Sequence, residues 1–264
     1  MASVTGIPEN PRVATGELQN PHEAGYGEEE PLLGRAGDAS QQEGRPLIWN
    51  LALGTAIITQ TGLLLLIAHV WASIFLSPTG LILFSAHPLL NSGGLLFLTQ
   101  GILILQPTHT AAQKRQGTLT HAGFNSVALS LLVAGLVVIE VNKFAHRGIH
   151  FESAHAILGL TTYILLLLQS LIGTTQYFTP TLYGTPSPQN AKKIYKYHRA
   201  SGYLILLLML ATIAAATWTP FNENALHIKS WAVISCAVLM LVGIVPRIKK
   251  QKLGLGGGSE ELRY

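Results

Sequence analysis

The sequence predicts an all-α, polytopic membrane protein of six transmembrane helices, with spans two to five forming a four-helix core. Three observations carry this. Of the 264 residues, 48% are hydrophobic and only 11% are charged, against roughly 25% charged in an ordinary soluble domain. The charges are segregated: no Asp, Glu, Lys or Arg occurs between Arg45 and Lys114, from Gln116 to Ile139, from Ser153 to Ala191, from Ala200 to Asn222 or from Ser230 to Pro246. Finally, the basic residues fall on one side of the membrane that these gaps define.

A transmembrane helix needs about 20 mostly apolar residues. The first gap is long enough for two helices, broken at LSPTG (Leu76 to Gly80), and each remaining gap holds one. The spans are placed near 48–75, 81–105, 118–141, 153–178, 197–217 and 230–246. Three regions follow: a disordered N-terminal tail over 1–46, a membrane domain over 47–250, and a flexible C-terminal tail over 251–264. The N-terminal tail is polar and rich in Gly, Pro, Glu and Gln, with no apolar core of a signal peptide. It contains EEEPLL (Glu28 to Leu33), in which an acidic residue stands four places before a Leu pair, a pattern that resembles a sorting signal for endosomes or vacuoles. The C-terminal GLGGGS (Gly254 to Ser259) lacks the strand and helix that a nucleotide-binding glycine loop requires.

With a cytosolic N-terminus, the cytosolic segments hold Arg45, Lys114, Arg115, Lys192, Lys193, Lys196, Arg199, Arg247, Lys249, Lys250 and Lys252. The opposite loops hold only Lys143, Arg147 and Lys229. This asymmetry predicts cytosolic termini, and it accounts for the net charge of +4 without nucleic acid. Cys236 is the single cysteine, which excludes an internal disulfide, a Cys-ligated iron–sulfur cluster and a C-x-x-C-H haem attachment.

Four histidines then stand out: His87 in SAHPLLN, His121 in LTHAGFN, His155 in SAHAILGL and His198 in YHRASGY. Each opens an apolar span. Steps of four and three residues follow one helix face. Span two reads His87, Asn91, Gly94, Leu98, Gly101, and span three His121, Asn125, Ala128, Leu132, Gly135. Span four reads His155, Gly159, Thr162, Leu166, Gln169, Gly173, and span five His198, Gly202, Ile205, Met209, Thr212. In each span the histidine face is the small, polar face, suited to helix contacts inside a bundle. The alternating direction of the spans puts His87 with His155 near the outer surface and His121 with His198 near the cytosolic one.

Three occupants of such a gap compete. One is a hydrogen-bonded histidine pair. A second is zinc, which usually wants further Cys, Asp or Glu ligands, and none lies on these faces. The third is a b-type haem, which takes an axial imidazole on each side and needs small residues beside its edge, a need met by Gly94, Gly159 and Gly202. One histidine at the head of each of four small-residue faces favours two haems. No span carries two of these histidines, so each haem bridges a different pair of helices.

On AHP (86–88), His121 with Gly123, His155 with Gly159, and YHRASGY (197–203), the chain resembles the cytochrome b561 family over roughly residues 48–250. The resemblance implies two non-covalent, bis-histidine b haems, with iron held by His87 and His155 and by His121 and His198, and with Asn91, Gly94, Asn125, Gly159 and Gly202 beside them. It implies transmembrane electron transfer from cytosolic ascorbate to ferric iron or monodehydroascorbate, and a homodimer. Lys114, Arg115, Lys192, Lys196 and Arg199 flank the cytosolic ligands and suit an anionic donor. Where some relatives place a further lysine, Thr118 to Thr120 stand immediately before His121. On the outer side, His146, Arg147 and His150, with Glu152, precede His155 and suit a ferric chelate or an anionic radical. Two other classes compete with this oxidoreductase reading. One is a cofactor-free proton or metal-ion transporter lined by histidines, disfavoured because Glu140 is the one acidic residue within the spans. The other is a quinone-linked haem anchor.

Overall fold

The computed structural model describes residues 40–183, 189–249 and 253, with the backbone alone for 189–193. Six helices follow in order: α1 (Ala56–Phe75), α2 (Ala86–Leu105), α3 (Ala111–Ala145), α4 (Ala154–Phe178), α5 (Gln189–Ala216) and α6 (Ser230–Ile244). All six helical segments, α2 and α6 together with the short 3-10 turns beside them, are long and apolar enough to cross a membrane. The described residues contain no strand. The protein is all-α and multi-pass.

Local chemistry moves three boundaries away from the charge gaps. The first helix starts at Ala56 rather than near 48, because Leu47–Leu51 forms a 3-10 turn and Gly54 then takes φ +57°, a region glycine enters without a side-chain penalty. Helix α3 starts at Ala111, because Thr110 caps it. The Thr110 hydroxyl accepts from the Gln113 N–H at 3.2 Å, and Gln113 Oε1 accepts in return from the Thr110 N–H at 3.4 Å, a capping box that satisfies donors a helix start leaves open. Lys114 and Arg115 therefore ride on α3, about 5 Å of helix ahead of residue 118 at 1.5 Å per residue. Helix α5 likewise starts at Gln189, so Lys192, Lys193 and Lys196 are helical. Ser153 opens α4 by accepting from the Ala156 N–H at 3.2 Å.

The helices pack as three antiparallel pairs, α1 with α6, α2 with α3 and α4 with α5. Small residues let the outer pair close. A Cβ on Gly62 would lie 2.7 Å from the Cys236 carbonyl, and the Thr55 hydroxyl donates to the Gly243 carbonyl at 2.7 Å. Close backbone approach and such bonds are what hold helices together where lipid removes the hydrophobic drive. Gln60 and Gln100 exchange reciprocal amide bonds of 2.6 and 3.0 Å between α1 and α2. The tightest apolar packing joins Leu63, Leu66 and Ile74 of α1 to Leu95 of α2, Leu206 of α5 and Met240 of α6. By contrast α4 turns Leu167, Leu168 and Leu171 outward, a face for lipid.

Gln41, assigned to the tail by sequence, is buried against the bundle. The Gln41 N–H donates to the Pro107 carbonyl at 3.0 Å, and its side-chain oxygen accepts from Asn50 Nδ2 at 3.0 Å. The acidic Leu-pair segment Glu28–Leu33 and most of the C-terminal tail lie outside the described residues.

Candidate functional site

The four histidines sit where helices of a pair cross. His87 Nδ1 lies 2.9 Å from the Gly135 carbonyl of α3, and His121 Nδ1 lies 2.7 Å from the Gly101 carbonyl of α2. The relation is reciprocal for a simple reason. Gly101 is fourteen residues beyond His87, and Gly135 is fourteen beyond His121. Fourteen residues are close to four turns, so in an antiparallel pair each histidine meets the far end of its partner's histidine face. The α4–α5 pair repeats the rule once: His155 Nδ1 lies 2.9 Å from the carbonyl of Thr212, fourteen residues beyond His198.

A carbonyl only accepts, so each of these three Nδ1 atoms carries the proton and Nε2 keeps its lone pair. Fixing one ring nitrogen by a backbone carbonyl is how proteins present the other to a metal. Asn91 Nδ2 also stands 3.1 Å from His87 Nδ1, where in this tautomer both are donors, and only as close as 3.4 Å to the Nε2 acceptor. The Asn91 amide is engaged instead with the His87 carbonyl at 2.8 Å, and its oxygen accepts from the Tyr163 hydroxyl at 2.6 Å across from α4. Asn125 makes the matching bond to the His121 carbonyl at 2.8 Å.

His198 departs from the rule. Its Nδ1 is buried with no hydrogen-bond partner among the described residues. Its ring lies on Gly173, where a Cβ would stand 2.6 Å from Cε1. The amide of Gln169, the residue fourteen beyond His155, donates to the His198 carbonyl at 2.5 Å and accepts from the Ser201 hydroxyl at 2.8 Å.

Across the pairs, the His87 and His155 rings have centroids 6.2 Å apart and planes at 87°. No hydrogen bond joins them among the described residues, so the directly bonded histidine pair is not formed. His121 and His198 lie near enough to interact electrostatically. The described residues contain no group of three or more His, Cys, Asp or Glu able to hold a metal ion.

The glycines divide. A Cβ on Gly159 would meet Thr212 Cγ2 at 3.7 Å, an ordinary contact with α5. A Cβ on Gly202 would stand 3.1 Å from Gln169 Nε2. Gly94 faces Leu132 Cγ, 2.6 Å from where its Cβ would be, so it allows a close α2–α3 contact. Gly101, Gly135 and Thr212 belong to the histidine faces in the sequence, but only the fourteen-residue spacing would have marked them as the histidines' partners; Gly173, eighteen beyond His155, falls outside that spacing. Tyr163 has no such signal.

Among the cations, Arg115 and Lys196 are exposed, while Lys114 and Arg199 are partly buried. Lys196 Nζ stands 5.0 Å from the Tyr197 ring centre. The Lys192 side chain lies outside the described residues. At the other end, His146 and Arg147 are exposed, His150 Nδ1 is 3.4 Å from Glu140 Oε2, and Lys143 Nζ donates to the Ile149 carbonyl at 2.7 Å. Arg147 and Phe151 take φ +53° and +58° in folding this loop back.

The sequence is 29% identical over 133 residues to the plasma membrane ascorbate-dependent reductase CYBRD1 of Mus musculus, and 29% over 137 residues to that of Rattus norvegicus. The aligned stretches are 49% and 51% of this chain and 44% and 46% of those proteins, so the match spans less than half of each relative. Residues 86–219, which hold all four histidines and just over half of the chain, match the eukaryotic cytochrome b561 family, and the protein belongs to it.

Proposed function

We propose that this protein carries electrons across a membrane through two non-covalent b haems, from cytosolic ascorbate to ferric iron, as a chelate, or to monodehydroascorbate on the far side. The observation that carries the reading is the histidine set: four imidazoles at helix crossings, three with Nδ1 committed to a carbonyl and Nε2 left to bind iron. His87 and His155 would hold one haem and His121 and His198 the other. The donor set suits bis-imidazole iron, whereas zinc would require more ligands.

A bound b haem supplies a one-electron iron couple, and the protein tunes it through ligation and burial. The carbonyls of Gly101, Gly135 and Thr212 hold the ring tautomers. Asn91 and Tyr163 tie α2 to α4, the two helices that bring His87 and His155 together. The hydrocarbon core is about 30 Å thick, and sites at opposite ends divide that distance. Lys114, Arg115, Lys192, Lys196 and Arg199 attract an anionic donor, and His146, Arg147 and His150 serve the acceptor. Homodimerisation and residence in a vacuolar or endosomal membrane, with both termini cytosolic, complete the reading. The name of the rodent relatives supports ascorbate as donor.

The test is an absorbance spectrum of the purified protein, oxidised and then with ascorbate. Sharp reduced b-type bands at two haems per chain are expected with ascorbate alone. Reduction only by dithionite would overturn the donor, and a colourless protein expressed with ample haem would overturn the haem reading.

A further inference from the structure

Arg247 is only 5% exposed, at the end of the last span, and among the described residues it has no carboxylate partner. An unpaired buried charge is costly unless hydrogen bonds replace its water. Here they do. Nε donates to Gln106 Oε1 at 2.9 Å, Nη2 to the carbonyls of Asn50 and Leu103 at 3.2 Å each, and Nη1 to the Leu53 carbonyl. Leu103 closes α2, while Asn50 and Leu53 lie at the end of the turn before α1, so the cation sits where open carbonyls give a helix end its negative pole. Only a planar fork of donors reaches four oxygens at once.

The Nε bond also sets the orientation of Gln106. With Oε1 held by Arg247, the amide nitrogen must face away, and it donates to the Tyr203 hydroxyl of α5 at 3.0 Å. Tyr203 follows His198 by five residues on that helix, and His198 is the ring without a carbonyl of its own. The helix is thus gripped from α4 by Gln169 and from the flanking helices by this chain of bonds.

We infer that Arg247, acting through Gln106 and Tyr203, is a positioning residue that fixes the α5 helix and so the His198 imidazole. Arg247 lies beyond the stretch matched to the family. The inference rests on His198 being a haem ligand.

The experiment uses the full chain with haem. Gln106→Leu, Tyr203→Phe and Arg247→Lys are compared with the unaltered protein by electron paramagnetic resonance and potentiometric titration, with His155→Ala identifying which signal belongs to which haem. All three variants should move the signal of the haem at the His121–His198 end, and change its oxidised-to-reduced ratio at fixed potential by about threefold, roughly 28 mV at 59 mV per tenfold for one electron. The other haem should stay unchanged. No movement in either signal, or equal movement in both, overturns the inference, since a general loss of stability would affect both. If the unaltered protein takes up no haem, the proposed function falls by itself. The link is then read from thermal unfolding of Tyr203→Phe and Arg247→Lys singly and together: non-additive losses support it and additive losses overturn it.

Discussion

The α2–α3 pair and the α4–α5 pair are built on one spacing, yet only the first is symmetric. In α2–α3, both histidines donate to a glycine carbonyl fourteen residues along the partner's face, and both are followed at the fourth residue by an asparagine that bonds the histidine's own carbonyl. In α4–α5, glycines replace the asparagines, His155 finds the Thr212 carbonyl, and His198 finds none. An asparagine closes its own turn from within the helix. Where that residue is glycine, this bond is missing, and at His198 the Ser201 hydroxyl and the Gln169 amide of α4 bond the carbonyl instead. In the symmetric pair an asparagine closes each histidine's carbonyl from its own helix, while the His198 end relies on Gln169 across the pair and, through Tyr203, on Gln106 outside it, which makes it the one more sensitive to distant change.

The largest effect that would sharpen this contrast comes from removing a ligand. His155→Ala should lower haem from two per chain to one, read by the pyridine haemochromogen assay against protein concentration; a value that stays at two would break the pairing across helix pairs. Next comes Gly173→Ala, whose new methyl would press on the His198 ring. It should lose most of the haem at that end, whereas Gly159→Ala, whose methyl would meet only Thr212 Cγ2 at an ordinary 3.7 Å, should keep both. Equal retention in the two variants would remove the special dependence of His198 on α4.

Within the symmetric pair, Gly101→Ala and Gly135→Ala each place a Cβ about 2.8 Å from an asparagine amide nitrogen. Overpacking of this kind costs about 1–3 kcal/mol, and the two losses should match in thermal unfolding. A clear inequality would show that the pair is not energetically symmetric. The smallest effect belongs to Tyr163→Phe, which removes the one side-chain bond to Asn91 from outside the pair. Interhelical bonds in membranes average about 0.6 kcal/mol, so only a slight fall in melting temperature is expected. A large one would mean that α2–α3 leans on α4 as heavily as the His198 end leans on its neighbours.

Much of this was legible in the chain. Charge-free stretches revealed six spans because a charge in hydrocarbon is expensive and a run of apolar residues therefore has few explanations. The small residues following each histidine at steps of four and three fixed the inward face, because helix periodicity is a property of the backbone. Boundaries were harder to read. Lys114 and Arg115 looked like loop residues, since the capping box at Thr110 and Gln113 lets α3 run on after the membrane has ended. Gly94 looked like space for a cofactor, but its neighbour Leu132 comes from another helix.

By itself, then, the sequence determined the number of helices, their alternating direction and the inward face that carries each histidine, since hydrophobicity and the 3.6-residue period act along one strand of chain. Only the tertiary structure decided which carbonyl each ring meets, why His198 meets none among the described residues, and that Arg247, by sequence one more topogenic cation, is buried among carbonyls of two segments. Those outcomes depend on the depth and roll at which separate helices come together, and no local period encodes that register.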